Sequence, residues 1–484
     1  MSTYSSERDA VQKPLLDYVQ EPSAEYTTKD GNRLMLQLGW EYVKPEEAMR
    51  LKGGKEGLVF REIFINQMQR LNPGFMDNLM AEELIKNLER IPPTKEGNLT
   101  AWEYLRGLKT VFVPYEKREK NVTFLDTENI ERNHFHVTDE FVFSNGRYTN
   151  RVDVAFFVNG VPVFLVETKA AHKLEGIAEA LDQVRRYHQQ SPEMLAMLQV
   201  YALTHIVQFY YSATWNTSQK LLYNWKDESA GHNYEALVKS FFDKNRVIKL
   251  LSDFILFTRE DDELKKIILR THQMRAVNKL VKRAGDKNKQ RALVWHTQGS
   301  GKTYSMITAA ELMMKEPAFS NPTVILLVDR NELETQLFSN LQSVGIENFE
   351  QADSKNELRD LLKNDRRGII ISTIHKFEGI QENINTRENI FVLVDEAHRT
   401  TGGKLGNYLM GALPNATYMG FTGTPVDKIS YGKGTFLTFG QDDPPKGYLD
   451  KYSIAESIED KTTVKLHYTL APNELQVEQR FSTW

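Results

Sequence analysis

At 484 residues the chain exceeds one ordinary core, and about 150 residues per domain suggests roughly three units. With 40% hydrophobic and 26% charged residues it reads as a soluble globular protein, not a disordered or fibrous one. A net charge of -4 excludes nucleic-acid binding by bulk charge, so any DNA contact needs a local groove, and the absence of cysteine excludes disulfides and thiolate metal sites.

Met1 to Gln20 lacks an apolar core ahead of a small-residue cleavage site, so no signal peptide and a cytoplasmic location are expected. Up to Thr110 the chain reads as mostly helical, with apolar residues at three- and four-residue spacing in Ala81 to Leu88 and Ala101 to Leu108. Strands follow at Val111 to Val113 and Glu140 to Phe143, closed by the turn signal Ser144-Asn145-Gly146. The longest apolar stretch, Val152 to Val166, is interrupted by Asp153, Asn159, Gly160 and Pro162 and predicts two buried strands, not a membrane span. Gly176 to Tyr187 then reads as an amphipathic helix and Leu198 to Tyr210 as strand, giving an α/β unit with a mixed sheet over residues 1–220.

Polar Asn216 to His232 predicts a loop and Tyr234 to Phe257 a helical bridge, so residues 221–263 are expected to link two units. Over residues 264–452 helices alternate with the short apolar strands Leu293 to Trp295, Val324 to Val328, Ile369 to Ser372 and Phe391 to Val394, as in a parallel sheet covered on both faces. Residues 453–484 are expected to begin a further unit. Lys265, Lys266, Arg270, Arg275, Lys279, Lys282 and Arg283 are candidate basic clusters for DNA, or equally solvated helix faces.

His296-Thr297-Gln298-Gly299-Ser300-Gly301-Lys302-Thr303 leaves the strand Leu293 to Trp295 and opens the helix Tyr304 to Met314. Such a loop turns main-chain N–H groups and a positive helix end toward phosphate, which predicts an ATP site with Lys302 on the β- and γ-phosphates and Thr303 on Mg2+. The general motif begins with Gly, and His296 stands in its place. Asp395, in Asp395-Glu396-Ala397-His398, ends an apolar strand where Mg2+ would be held, and Glu396 is the candidate to activate water. With Ile371 to Lys376 and Phe421 to Pro425, this region resembles the first motor domain of superfamily 2 helicases. By that resemblance the former segment touches the DNA backbone, the latter couples ATP state to DNA grip, and Gln273 reads adenine.

Asp153 and Glu167-Thr168-Lys169 have the layout of a metal-dependent nuclease, in which carboxylates bind the cation and a lysine orients water or offsets charge. For Asp153 and Glu167 to share a metal they must share a sheet face. A plain two-residue turn at Asn159-Gly160 would set Asp153 opposite Val166, so either a three-residue connection through Val161 or a one-residue bulge is expected. His134 and His136 alternate with Phe135 and Val137 as in a half-buried strand, so they are not assigned to a metal; His172, His188 and His205 have no ligand spacing.

With Gln183 and Tyr187 on the following helix, the order of these elements ahead of a helicase region resembles the motor and nuclease subunit of type I restriction enzymes. That resemblance implies a PD-(D/E)XK-type nuclease domain followed by a RecA-like domain, with Gln183 and Tyr187 supporting the nuclease site. It also implies translocation of double-stranded DNA, nonspecific cutting at a distance, and separate methyltransferase and specificity subunits as partners. It further implies that the chain is an N-terminal fragment lacking the second motor domain. Alternatives are a helicase-linked nuclease of type III restriction or repair, and a non-catalytic DNA-binding assembly module.

Overall fold

The computed structural model describes residues 7–27, 33–170, 175–226, 233–260, 262–329, 337, 341–342, 346, 348–400, 404–427 and 434–464. His172, the end of the predicted 216–232 loop and most of the expected unit after Tyr452 lie outside them.

The first sheet contains β1 (Glu41–Tyr42), β2 (Phe135–Ser144), β3 (Thr149–Val158), β4 (Val161–Thr168), β5 (Val200–Thr204), β6 (Phe209–Ala213) and β7 (Tyr223–Asn224). Its order is β7-β6-β5-β4-β3-β2-β1. The β1/β2 and β4/β5 pairs are parallel and the others antiparallel, so the sheet is mixed as expected. All of β4 and nearly all of β3 are buried, which explains why this sequence is continuously apolar instead of alternating.

Asn159 and Gly160 both take left-handed conformations (φ 51° and 81°), the pattern of a two-residue hairpin turn. A Cβ on Gly160 would lie 2.8 Å from the Phe60 carbonyl oxygen and 2.9 Å from the Phe64 nitrogen, so only glycine fits. Beyond the turn, Phe157 pairs with Pro162 but Phe156 pairs with Phe164. Val163 is therefore the extra residue of a one-residue bulge, the second of the two geometries the metal pair requires.

Helices α1 (Lys13–Gln20), α2 (Lys95–Leu105) and α3 (Gly176–Gln190) belong to this half, with α3 packed on β4 and β5. The region before Thr110 is less helical than expected, because Ser23–Thr27 pairs with Arg33–Gln37 as a hairpin. The Tyr234 to Phe257 bridge also differs. Helices α4 (Tyr234–Phe241) and α5 (Lys244–Asp253) give way to strand β8 (Ile255–Glu260), which pairs with β9 (Glu263–Ile268). An apolar run such as Leu250-Leu251 followed by Phe254 to Phe257 cannot by periodicity alone reveal that switch.

After α6 (Thr271–Ala284), the second sheet is built from β10 (Arg291–His296), β11 (Thr323–Val328), β12 (Phe349–Gln351), β13 (Gly368–Thr373), β14 (Ile390–Val394), β15 (Thr417–Thr422) and β16 (Asp450–Tyr452). The order is β12-β13-β11-β14-β15-β10-β16 and every pairing is parallel. Successive strand residues join different cores. Val324, Leu326 and Leu393 belong to one cluster and Ile325, Leu327 and Val392 to the other, so both faces are covered.

The first of those clusters also contains the core of the first sheet, from Val11 through Leu269, so the two halves share one apolar interior. Arg106, just after α2, pairs with Glu311 on α7 (Lys302–Lys315) across the junction, both nearly buried. Tyr211 donates to the Leu269 carbonyl at 2.9 Å.

The junction also corrects the basic-cluster reading. Lys266 is buried and, among the described residues, bonded only to neutral oxygens of Asn98 (2.6 Å), Gln199 (2.8 Å) and Thr214 (2.9 Å). Arg283 is buried against Asp443, while Arg275 and Lys279 both pair with Asp450. These four cations hold the fold together, and the burial of Lys266 and Arg283 and the pairing of Arg275 and Lys279 arise from tertiary contacts that sequence spacing cannot display. No helix among the described residues is long and apolar enough to cross a membrane.

Candidate functional site

The bulge sets Val154 opposite Val166, and one residue further along the same ladder Asp153 faces Glu167. Asp153 Oδ2 accepts bonds from the Thr168 main-chain N (2.7 Å) and Oγ1 (2.9 Å), which fixes its carboxylate at the end of β4. Glu167 is fully buried. Its Oε1 lies 2.8 Å from the Tyr187 hydroxyl, while among the described residues Oε2 has no hydrogen-bond partner and has the Lys169 ammonium at 4.0 Å.

Burial, reinforced by the charge of Asp153, pushes the Glu167 carboxyl well above the usual range, with Lys169 and Tyr187 opposing. An orphaned, buried carboxylate oxygen beside a second carboxylate fits a divalent cation, which would supply the missing positive charge. Among the described residues no group of three His, Asp or Glu is placed to hold a metal ion, so a cation here would rest on the pair Asp153 and Glu167.

Lys169, just past β4, donates to Gln183 Oε1 at 3.0 Å and to the Thr168 carbonyl at 2.7 Å. Gln183 in turn donates to the Tyr187 hydroxyl (2.8 Å), which also lies 2.7 Å from the Arg151 carbonyl. All five residues named from the sequence are thus in one hydrogen-bonded group. Two neighbours were missed. Gln12 donates to the Asp153 carbonyl at 2.8 Å, and Glu7 accepts from the Ala170 nitrogen at 3.2 Å with its other oxygen 3.7 Å from Lys169. Their distance along the chain leaves no local signal. His134 and His136, with ring centroids 6.2 Å apart, lie instead beside Arg70 and Glu41 respectively.

In the second sheet β10 ends at His296 and α7 begins at Lys302, as the loop motif requires. Gly299 and Gly301 have φ of 74° and 81°, which lets the main chain between Gln298 and Thr303 curl into the helix start. Lys302 Nζ reaches back to 3.5 Å from the His296 carbonyl, across the loop mouth. Gln273 is buried, not an exposed helix residue. Its Oε1 accepts from Arg270 N and its Nε2 donates to the Gly301 carbonyl, both at 2.8 Å.

Asp395 follows β14, its amide bonded to the Leu327 carbonyl at 2.8 Å, and its Oδ1 accepts from the Glu396 amide at 2.9 Å. Burial raises its carboxyl above the ordinary value; the hydrogen bond from the Glu396 amide opposes this, the Glu396 charge adds to it, and the Lys302 charge opposes it. His398 Nδ1 lies 2.9 Å from Thr422 Oγ1 and 3.5 Å from Glu396, and a Cβ on Gly423 would come within 3.1 Å of the Gln298 nitrogen. The Asp395 segment, the Phe421 to Pro425 segment and the loop therefore meet. Lys376, from the Ile371 to Lys376 segment, donates to the Ala352 carbonyl at 2.6 Å.

A phosphate-type loop on a parallel sheet, fused to a mixed sheet carrying an Asp, Glu and Lys group, defines a helicase-like ATPase joined to a restriction-type nuclease fold. Residues 272–483 match the family model of the SWI2/SNF2 ATPase, and residues 23–220 that of the type I restriction enzyme R protein N terminus. In both halves, and so over most of its length, the chain is similar to the R subunit of type I restriction enzymes.

It is 31% identical over 386 residues to a Methanocaldococcus jannaschii protein named as the MjaVIIIP endonuclease subunit of a type I restriction enzyme, covering 73% of this chain and 37% of that one. It is 28% identical over 496 residues to the type I restriction enzyme HindI endonuclease subunit of Haemophilus influenzae, covering 91% of this chain and 46% of that one. The chain thus spans less than half the length of these relatives. Among solved structures, the Type ISP restriction-modification enzyme LlaBIII bound to DNA aligns with 41% of this chain and 16% of that one, at 16% identity and a TM-score of 0.29.

Proposed function

We propose that the chain forms the nuclease and first motor part of a subunit that translocates double-stranded DNA with ATP and cuts it nonspecifically, in a complex with methyltransferase and specificity subunits in the cytoplasm. The observation that carries this reading is the bulge at Val163, which brings Asp153 opposite Glu167 in a half whose core continues into a phosphate-loop sheet.

At the nuclease site Asp153 and Glu167 would hold a divalent cation such as Mg2+, whose chemistry when bound is to acidify water and offset charge on the phosphodiester. Lys169, aimed by Gln183, would place its ammonium toward the scissile phosphate or the attacking water. Tyr187 would fix the Glu167 carboxylate. At the other site the amides of Gln298, Gly299, Ser300 and Gly301 would cradle the phosphates, with Lys302 on their outer oxygens. Thr303 and Asp395 would hold Mg2+, Glu396 would orient the attacking water, and Gln273 would stand at the adenine end of the loop.

The two halves of the reading separate under mutation. In the complete subunit, Glu167→Ala should abolish DNA cleavage with ATP hydrolysis nearly intact, whereas Lys302→Ala should cut ATP hydrolysis by about a hundredfold or more and remove translocation-dependent cleavage with it. Normal cleavage by Glu167→Ala, or retained hydrolysis by Lys302→Ala, contradicts the corresponding assignment.

A further inference from the structure

His296 departs from the general loop motif, and its surroundings show what the departure does. The ring is fully buried, and its Nε2 donates to Asp450 Oδ2 at 2.8 Å. Asp450 lies on β16, beside β10, also fully buried, and its other oxygen accepts from Arg275 Nε (2.8 Å) and Lys279 Nζ (2.7 Å) on α6. Burial alone would raise the Asp450 carboxyl, but the His296 hydrogen bond and the Arg275 charge outweigh it and hold the group far below the usual range.

The same strand grips the loop again one residue further on, where Thr297 N donates to the Tyr452 carbonyl at 3.0 Å. The Tyr452 ring stacks on His272 at 3.6 Å, and His272 Nε2 donates to the Ser300 carbonyl at 3.0 Å. Glycine at position 296 could offer none of the side-chain bond to Asp450.

We infer that Asp450 is a positioning residue for nucleotide, acting through His296 to fix the entry of the phosphate loop and tie it to β16 and α6. Neither residue touches the phosphates. Their work is to hold the main chain of Gln298 to Gly301 in the curl that receives them. Loss of the pair should therefore weaken nucleotide binding, even when the replacement is the glycine of the general motif.

The inference rests on the ATP-site reading, and titration of the full chain with the fluorescent nucleotide mant-ATP, alongside thermal melts, tests the two separately. His296→Gly and Asp450→Asn should each weaken binding about tenfold, the scale of one lost hydrogen bond to a charged group. The double variant should be no weaker than either single one, because the two residues act as one unit. His296→Gln, whose amide can still donate to Asp450, should recover most of the affinity.

A merely structural pair would lower the melting temperature and leave the affinity of the folded chain unchanged, which would overturn the inference. Lys279→Ala, on the exposed rim of the same carboxylate, covers the case in which the buried variants do not fold: a smaller loss of affinity supports the inference and an unchanged one overturns it. If the unmodified chain does not bind mant-ATP, the phosphate-site reading itself falls.

Discussion

At the end of β4 the chain assembles a site from side chains drawn from two strands, a helix and the segment before α1, whereas at the end of β10 it assembles one mostly from main chain. In the first, the meeting of the carboxylates depends on register: a slip of one residue turns Glu167 away from Asp153. In the second, the loop's shape depends on two left-handed glycines and on the tethers that hold it. Among the described residues the first site leaves a buried carboxylate oxygen without a partner; the second turns a lysine back across its loop. A side-chain site can thus be broken by geometry alone, and a main-chain site by loss of its supports.

The largest expected effect comes from moving that register. An alanine inserted between Val163 and Phe164 should abolish cleavage while ATP hydrolysis by the complete subunit persists, because Glu167 then faces the other side of the sheet. Deleting Val163 should instead remove the bulge, leave Asp153 opposite Glu167, and preserve measurable cleavage. If both changes behave alike in a plasmid-nicking assay, register is not what builds the site.

A middle-sized effect should follow from Gly160→Ala, which forces a Cβ against the Phe60 carbonyl at φ 81°. We expect a loss of about 2–3 kcal/mol in denaturant unfolding. A cost near zero would mean the turn can open without disturbing the strands that position Asp153.

The smallest effect has the opposite sign. Without divalent cation, and at a pH high enough to ionise the raised Glu167 carboxyl, Glu167→Gln should stabilise the protein by about 1 kcal/mol, because it removes a buried charge. Adding Mg2+ should reverse the ranking by stabilising only the unmodified chain. Melting curves that do not cross on addition of Mg2+ would argue against a cation between Asp153 and Glu167.

The loop between β10 and α7 was legible because its residues are contiguous and lie between a strand and a helix that the apolar pattern already marks. The bulge could be anticipated only by asking what geometry Asp153 and Glu167 need to meet. Lys266 was misread as a candidate DNA contact because its socket comes from Asn98, Gln199 and Thr214, all remote in sequence. Asp450 left no mark for a similar reason: an isolated acid near the end of a short strand is unremarkable until His296, Arg275 and Lys279 converge on it. What the sequence withheld was chiefly the partners of buried polar groups, which the pattern of apolar residues does not encode.

The continuous core from Val11 to Phe421 bears on how such a chain can change over time. Because the first half covers one apolar face of the second sheet and Arg106 grips Glu311 across the seam, neither half presents a finished surface of its own. Exchange of nuclease halves between relatives would have to refit that seam residue by residue. Heritable variation in the two halves should therefore travel together.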